Sequence, residues 1–369
     1  MDFDDLDDAI EERVASGVGL TDDIASAMGK VGKPAPYEPT AFMTMMPRNF
    51  RLPSLNDVAK LGLCKDLGSQ PGDVDALKRR TSLRVFVFPG VADSFAQWTM
   101  TATRAPIFAE MAVHEWPSHQ LRESELACTT LEELANDAFM AVKPALKEHA
   151  QGGDFEGAPF AFLGHSTGNL VMVVVAKRVL QELGLEPAAV VAIERGAPHI
   201  PLFNEKGLAL MKSDSREWMR IYNSSIFNTA VKVGGEKGQK MLQMWLEGSK
   251  HSSDTRPIGF HKFECDLLVV RAAHNIAMDL QVKDPKCDPE VIKSHQERDS
   301  IMNSSPGSAM DFDAAQFEPW NKWTSGRCKV VDVPADHMSV KYKEEPWQLI
   351  WEFLKNFKAP NPPGMSYSK

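Results

Sequence analysis

The sequence lacks the features of a membrane-spanning or a nucleic-acid-binding protein. No apolar run reaches the roughly 18 residues that a transmembrane helix needs. Its 41 basic and 50 acidic residues give a formal net charge of −9, whereas a protein that binds nucleic acid without sequence preference needs a basic face. We therefore expect neither a membrane span nor a nucleic-acid partner.

Cysteine and basic targeting signals are also scarce. The sequence has no C-x-x-C pair, and its five cysteines are far apart: Cys64, Cys128, Cys265, Cys287 and Cys328. This pattern predicts neither a disulfide framework nor a zinc site, and we expect the thiols to be ordinary small apolar residues. The N-terminus, MDFDDLDDAIEER, is acidic, whereas secretory signals begin with basic residues and transit peptides are rich in arginine. These absences predict a cytoplasmic protein.

The composition changes along the 369 residues in a way that predicts one large domain with appendages. Residues 1–36 are acidic and then rich in Gly and Pro, which predicts a disordered N-terminal segment. Residues 37–80 carry a capping-box pattern before VAKLGL, which predicts a helical arm. Residues 81–358 are expected to form the main domain, and residues 359–369 a C-terminal tail.

Strands and helices alternate in the main domain. The predicted strands are the runs SLRVFVFPG, PFAFLG, AAVVAIERG, CDLLVVRAA and RCKVVDVPA. Helical periods follow the first and second runs, and a capping box at Thr130 and Glu133 begins the first of these helices. This alternation predicts an α/β fold with a mostly parallel central sheet and helices on both faces.

Two long stretches interrupt the alternation. Residues 199–262 are rich in Met and Trp, which is typical of a mobile lid over an apolar pocket but equally of extra helices that complete a core. Residues 281–319 are polar and charged, which predicts an inserted surface loop. We expect the first stretch to be a helical lid insertion.

The stretch FLGHSTGNLV contains a G-x-S-x-G motif between a predicted strand and a predicted helix. Glycines at 164 and 168 permit a sharp turn and close packing of helix on strand, which exposes the hydroxyl of Ser166. The positive end of the helix dipole then lies beside that hydroxyl. A chance match in an ordinary loop is the competing interpretation, and the strand before and helix after the motif favour a nucleophile.

A serine nucleophile needs a base, and the base needs an orienting acid. The chain order expected for this kind of turn is Ser, acid, His, and His337 follows the last predicted strand. The acid is less well defined: Asp279 follows the strand CDLLVVRAA and is our first choice. The alternatives are Asn275, Asp311, Asp313 and Glu194.

A tetrahedral oxyanion needs two N–H donors. The amide of Thr167, directly after the nucleophile, is the first candidate. The second is expected in the loop after the first strand, FPGVADS, where Val91 is our choice. This second donor follows from the serine hypothesis rather than from an independent pattern.

With these residues in place, residues 81 to about 345 resemble the type II thioesterases of polyketide and nonribosomal peptide synthesis, within the α/β-hydrolase superfamily. The family's motifs F-P-H-A-G-G-S, G-H-S-M-G, R-A-P-H and G-D-H-F are matched, in chain order, by FPGVADS from Phe88, GHSTG from Gly164, GAPH from Gly196 and ADHM from Ala335. The His and both Gly of the family's first motif are replaced, and its acidic G-D-x-D motif is absent, which leaves the acid open.

The resemblance implies an α/β-hydrolase fold and the hydrolysis of acyl thioesters on the phosphopantetheine arm of a carrier protein. Ser166 would attack the thioester carbonyl, His337 would take and return the proton, and no metal or organic cofactor would be needed. The expected partner is an acyl carrier protein or a CoA-like thioester, docked near basic residues such as Arg122 or Arg195. The oligomeric state stays open.

Three other functions use the same residue pattern. A general carboxylesterase or lipase would use the same catalytic residues, and a Met-rich lid would suit it. An acyltransferase would replace water with a bound alcohol or amine. A non-catalytic, hydrolase-like binding module is the alternative from another class, since the acid is unsettled and the F-P-H-A-G-G motif is altered.

Overall fold

The computed structural model describes the main domain with gaps. The described residues are 44–45, 83–91, 93, 97–98, 101–102, 105–106, 108–119, 122–147, 149, 158–253, 262–272, 289–304 and 314–357. The predicted N-terminal segment, the predicted C-terminal tail and the helical signal of the arm lie outside them. Within the arm, Thr44–Met45 forms a short strand.

A seven-stranded sheet forms the centre of the domain. Its strands are β1 (Thr44–Met45), β2 (Leu83–Phe88), β3 (Ala109–Val113), β4 (Phe160–His165), β5 (Ala189–Ile193), β6 (Asp266–Ala272) and β7 (Cys328–Val333). The spatial order is β1-β3-β2-β4-β5-β6-β7, and every neighbouring pair is parallel except β1 with β3. The five predicted strands form as β2, β4, β5, β6 and β7, which confirms the mostly parallel sheet.

Nine α-helices are described. They are α1 (Leu131–Lys147), α2 (Gly168–Leu183), α3 (Glu205–Ser213), α4 (Ser215–Tyr222), α5 (Ser224–Val233), α6 (Gly235–Ser253), α7 (Pro289–Asp299), α8 (Ala314–Phe317) and α9 (Glu344–Leu354). Short 3-10 helices span Glu318–Trp323, Ser339–Lys341 and Lys355–Phe357. Among the described helices, none combines the length and the apolar character needed to cross a bilayer.

Alternate side chains of each central strand point to opposite faces, and both faces are covered. Phe86 and Phe88 of β2 pack with α1 and α2 in one apolar cluster. Val85 and Val87 pack with Trp347 of α9 in the cluster on the other face. A parallel sheet buried on both faces reads as a continuous apolar run, which is why these strands were visible in the sequence. The expected α/β-hydrolase architecture is confirmed.

The capping box predicted at the start of α1 is present. The Glu133 amide donates to Thr130 Oγ1 at 3.1 Å, and the Glu133 carboxylate accepts from the Thr129 amide at 2.8 Å. The reciprocal bond thus goes to Thr129, one residue before the position that the pattern predicts. The helix begins at Leu131, as its apolar period indicates.

The Met- and Trp-rich stretch folds into the four consecutive helices α3 to α6. Three of them begin at a capping side chain: Asn204, Asp214 and Asn223 each accept a hydrogen bond from the amide three residues on. Trp218 and Met219 of α4 are buried in the core, so part of the stretch completes the core. The C-terminal end of α6 contacts the turn at Ser166 through a hydrogen bond between Ser252 and Thr167.

The polar stretch at residues 281–319 differs from the expected loop because it contains α7 and α8. Pro289 occupies the first position of α7, where its fixed backbone angle suits a helix start. An ion pair ties α7 to α4, with Glu297 Oε2 3.1 Å from Arg220 Nη2. The helix carries few apolar residues, so its hydrophobic periodicity was too weak to predict a helix from the sequence.

The glycines at 164 and 168 permit the turn between β4 and α2. A Cβ at Gly164 would lie 2.6 Å from Asn169 Oδ1, and a Cβ at Gly168 would lie far inside contact distance of the Phe88 carbonyl oxygen. The turn therefore brings the start of α2 directly onto the backbone of β2.

We predict that Gly168→Ala lowers the free energy of unfolding by about 3 kcal/mol, because the added methyl group meets fixed backbone of β2. Gly184→Ala is the matched control: Gly184 has a left-handed φ of 64° but open space around it, so we expect a cost of about 1 kcal/mol. Urea unfolding of both variants measures the difference. Equal costs would mean that α2 and β2 can separate freely.

Candidate active site

Ser166 lies in the turn between β4 and α2, at the carboxyl end of the sheet. Its φ is 51°, in the left-handed region, and its amide donates to the Ile193 carbonyl oxygen of β5 at 2.9 Å. The residue is half-buried. A Cβ at Gly90, in the loop after β2, would lie 2.9 Å from Ser166 Cβ, so that loop borders the serine directly.

His337 lies in the turn after β7, and its ring contacts a carboxylate. Nδ1 of His337 is 3.3 Å from Oε2 of Glu194, which directly follows β5 and is 5% exposed. The other carboxylate oxygen of Glu194 accepts a hydrogen bond from the Ala272 amide at the end of β6. The carboxylate is therefore fixed between two strand ends with one oxygen turned to the histidine.

Two residues of this region, Ser166 and Glu194, have left-handed backbone. Ser118, Ser166 and Glu194 are the non-glycine residues with positive φ among the described residues. Such a conformation is disfavoured for residues with a Cβ and persists only where the surroundings hold it. Two of the three belong to the group formed by Ser166, Glu194 and His337.

The turns that carry Ser166 and His337 are joined through the histidine that precedes the serine. Nε2 of His165 is 2.9 Å from the His337 carbonyl oxygen, and the centroids of the two rings are 4.9 Å apart. Ser166, Glu194 and His337 follow the strands β4, β5 and β7, and the Ser166 amide binds the carbonyl of Ile193, directly before Glu194.

The loop after β2 is held by a buried carboxylate. Asp93, 1% exposed, accepts a hydrogen bond from the Gly90 amide at 2.9 Å, and the Asp93 amide donates to the Gly90 carbonyl at 3.3 Å. Val91 is half-buried at the bend of this loop. Thr167 is the N-cap residue of α2, at the helix end where backbone amides have no acceptor within the helix.

Helix α6 covers this region. A Cβ at Gly248 would overlap the side chain of Val91, and Ser252 Oγ is hydrogen-bonded to Thr167 Oγ1. Gly248 also borders a small cavity of about 10 Å³, room for about one water molecule, between α6 and the loop after β3. Its other lining residues are Trp116, Pro117, Ser118, His119, Ala127, Cys128, Leu134, Met244, Glu247 and His251.

The two arginines expected at a docking surface are buried, so that expectation was wrong. Arg122 is 4% exposed and binds both oxygens of Asp137, at 2.7 and 2.9 Å, and the Glu115 carbonyl at 2.8 Å. Arg195 is 1% exposed and donates to the Ser252 carbonyl at 3.0 Å. Both guanidinium groups fasten loops to helices, because a buried cation is stable only with its acceptors in place.

The other candidate residues are distributed as follows. Asp279, the first-choice acid, lies outside the described residues, as do Asn275, Asp311 and Asp313. Burial raises the pKa of the Cys128 and Cys265 thiols to about 12, which keeps them protonated and poor nucleophiles. In the described part of the chain, no group of three His, Cys, Asp or Glu side chains could hold a metal ion.

Sequence analysis did not identify Asp93, His165 and Lys341, which pack together behind the serine. Lys341 Nζ is bonded to Asp93 Oδ1, and Asp93 Oδ2 is 2.8 Å from His165 Nδ1. Asp93 and Lys341 are 248 residues apart, and no spacing rule links them. Glu194 was an alternative for the acid, but only the structure shows its contact with His337.

The fold is that of an α/β-hydrolase. The family model of the thioesterase domain matches residues 84–232, from β2 into α5. This match confirms, over residues 84–232, the resemblance to thioesterases that was stated from the sequence.

Individual relatives are distant. The gramicidin S biosynthesis protein GrsT of Aneurinibacillus migulanus is 28% identical over 122 residues, which are 32% of this chain and only 43% of that protein. The linear gramicidin dehydrogenase LgrE of Brevibacillus parabrevis is 22% identical over 71% of this chain and 82% of its own length. The RedJ thioesterase of the prodiginine pathway in Streptomyces coelicolor superposes with a TM-score of 0.50, at 19% identity, over 76% of this chain and 91% of its own.

The buried pair of Arg122 and Asp137 should make stability depend on pH. Burial alone would raise the pKa of Asp137, but hydrogen bonds from Arg122 and His114 lower it to about 2, from an ordinary 3.8. A depressed pKa stabilises the fold above the ordinary value and loses that effect as the pH falls toward 2. We predict that Asp137→Asn costs about 2 kcal/mol at pH 7 and almost nothing at pH 2.

Urea unfolding across that pH range measures this change. Asp332→Asn is the control, because Asp332 is 49% exposed in its ion pair with Arg271 and such pairs contribute about 1 kcal/mol or less. A cost for Asp137→Asn that is the same at pH 2 and pH 7 would contradict the assignment.

Proposed function

We propose that this protein is a serine hydrolase that cleaves acyl thioesters, with Ser166 as nucleophile, His337 as general base and Glu194 as orienting acid. The observation that carries the proposal is the contact between His337 Nδ1 and Glu194, directly beside a serine held in a left-handed turn. A serine hydroxyl becomes reactive when a histidine takes its proton, and the carboxylate stabilises the imidazolium that forms.

Glu194 takes the role for which Asp279 was the first choice. Its carboxylate is buried, and one oxygen is engaged by the Ala272 amide while the other faces His337. That arrangement favours the form of His337 with its proton on Nδ1, in which Nε2 is unprotonated and can accept the proton of the serine. Asp279 remains the competing acid.

The amides of Thr167 and Val91 are our candidates for the oxyanion hole. Thr167 follows the nucleophile at the start of α2, where the helix dipole favours negative charge. In the loop after β2, the Gly90 amide already donates to Asp93, so the next amide, that of Val91, is the better candidate. Two such donors would stabilise the tetrahedral intermediate.

The reaction then proceeds in two steps that balance with water alone. Ser166 Oγ attacks the thioester carbonyl, His337 takes the hydroxyl proton, and the tetrahedral intermediate expels the thiol with that proton. Water then attacks the acyl-serine, His337 again accepts and returns a proton, and the free acid leaves.

The substrate is proposed to be an acyl chain on the phosphopantetheine arm of a carrier protein of polyketide, fatty-acid or nonribosomal peptide synthesis. The thioesterase family match supports a thioester over an ester, and GrsT and RedJ bear the names of biosynthetic pathways. A CoA thioester presents the same pantetheine arm. The cytoplasmic location and the carrier partner stay predictions.

We predict that Ser166→Ala lowers the kcat for an acyl-pantetheine thioester at least about 1000-fold, since the variant lacks the proposed nucleophile. Ser225→Ala, at an exposed serine of α5, is the control and should keep wild-type activity. Hydrolysis of the same acyl chain as thioester and as oxoester is followed for all three proteins. Faster oxoester turnover would favour an esterase, and no turnover by wild type would favour a binding module.

We further predict that Glu194→Gln lowers kcat by about 1000-fold. The glutamine oxygen can keep the bond to the Ala272 amide, so its NH₂ group faces His337 Nδ1 and forces the wrong tautomer. Asp279→Asn is the matched comparison and should change kcat less than about threefold. The reverse pattern would make Asp279 the acid.

A further inference from the structure

A buried ionic cluster lies behind the proposed active site. Asp93, His165 and Lys341 are each 1% exposed. Lys341 Nζ is bonded to Asp93 Oδ1 and lies 3.2 Å from Gln97 Oε1. Burial alone would raise the pKa of Asp93, but the charge of Lys341 and the hydrogen bonds from His165 and Lys341 hold it below its usual value. Asp93 is therefore a carboxylate inside the protein.

The ring of His165 joins this carboxylate to the main chain of His337. Nδ1 lies 2.8 Å from Asp93 Oδ2, and Nε2 lies 2.9 Å from the His337 carbonyl oxygen. Both partners are oxygens, so the ring donates both hydrogen bonds only with a proton on each nitrogen. Burial lowers the pKa of His165, and the Asp93 carboxylate opposes that shift.

The same cluster reaches the loop of the proposed oxyanion hole. Asp93 Oδ2 accepts the Gly90 amide at 2.9 Å, which sets the position of the following residue, Val91. At the other end, the Lys341 carbonyl accepts hydrogen bonds from Trp347 Nε1, at 2.9 Å, and from Thr101 Oγ1. The bond from Trp347 anchors the cluster to α9, which covers the face of the sheet that carries Val85 and Val87.

Three segments that must keep fixed distances thus share one set of buried bonds: the loop after β2, the residue before Ser166 and the turn of His337. A buried ion pair often adds little net stability, because desolvation offsets the attraction. It does, however, penalise every arrangement that separates its charges. That property suits a site whose reacting groups must stay in place to within a fraction of an ångström.

We propose that His165, Asp93 and Lys341 are positioning residues, which hold the main chain of His337 and the Gly90–Val91 loop in register with Ser166 without touching the substrate. The inference rests on the proposed roles of Ser166 and His337. It assigns the cluster an effect on kcat rather than on substrate binding.

Two substitutions at His165 separate its two bonds. The amide nitrogen of an asparagine occupies about the place of Nδ1, and that of a glutamine about the place of Nε2. His165→Gln can therefore keep the bond to the His337 carbonyl, which His165→Asn loses. We expect kcat to fall about 100-fold in His165→Asn and only about tenfold in His165→Gln, with KM within threefold of wild type.

A double variant guards against simple misfolding. Lys341→Met leaves the Asp93 carboxylate buried without its cation and should destabilise the protein. Adding Asp93→Asn removes the stranded charge, so stability should return toward wild type. If the cluster positions the site, kcat of the double variant stays at least about tenfold low. His149→Asn is the control. His149 is a buried histidine whose ring packs against Phe86, and its substitution should lower stability without lowering kcat.

The measurements are kcat and KM on an acyl-pantetheine thioester, with urea unfolding of each variant. Wild-type kcat in the double variant and in both His165 variants would overturn the proposal, since the cluster would then be structural only. Equal kcat in His165→Gln and His165→Asn would overturn the role of the bond to His337. A failure of the proposed function would look different from these two results. In that case wild type itself would not hydrolyse the thioester, or Ser166→Ala would still hydrolyse it.

Discussion

The close approach of α2 to β2 at Gly168 is the constraint on which the site depends. Because no side chain separates the start of this helix from the Phe88 carbonyl, the chain must reverse within two residues of β4. That reversal holds Ser166 in left-handed backbone and directs the N-terminal amides of α2 to the end of the sheet. The loop after β2 then lies against the serine, at Gly90.

Parallel strands bring the remaining groups to the same place. The carboxyl ends of β4, β5 and β7 carry Ser166, Glu194 and His337, so three distant parts of the sequence meet at one edge of the sheet. Each group is then fixed by backbone. The Ser166 amide is bound to β5, and the Glu194 carboxylate is bound to the end of β6. The site thus depends on the sheet register more than on the flexible segments around it.

Two buried basic side chains of this domain are paired with carboxylates. Arg122 joins the loop after β3 to α1 through Asp137, and Lys341 joins the loop after β2 to α9 through Asp93. Each pair ties a loop at the active-site edge to a helix on one face of the sheet. Because breaking such a pair strands a buried charge, these loops are held more firmly than apolar contacts alone would hold them.

The parts of this architecture that rest on local chemistry could be predicted from the sequence. β2, β4, β5 and most of β6 are buried on both faces and read as apolar runs, and the G-x-S-x-G spacing located the turn at Ser166. β3, with the sequence AEMAV, has little β propensity and escaped prediction.

What depends on pairing across the fold could not be predicted. The choice among the acids depends on which loop end faces His337, and no spacing separates Glu194 from Asp279. Asp93 and Lys341 meet only because the loops after β2 and β7 converge, although they are 248 residues apart. The same limit applied to Arg122 and Arg195, whose charges suggested a surface but are compensated inside the protein.

Trapping the acyl-enzyme tests the central claim most directly. Wild-type protein is mixed with excess acyl-pantetheine thioester, quenched in acid within one turnover, digested and analysed by mass spectrometry. The account predicts that the peptide containing Ser166 gains the mass of the acyl group less one proton, and that the adduct disappears as free acid accumulates. Hydrolysis without an adduct at Ser166, or an adduct on another residue such as Cys128, would contradict it.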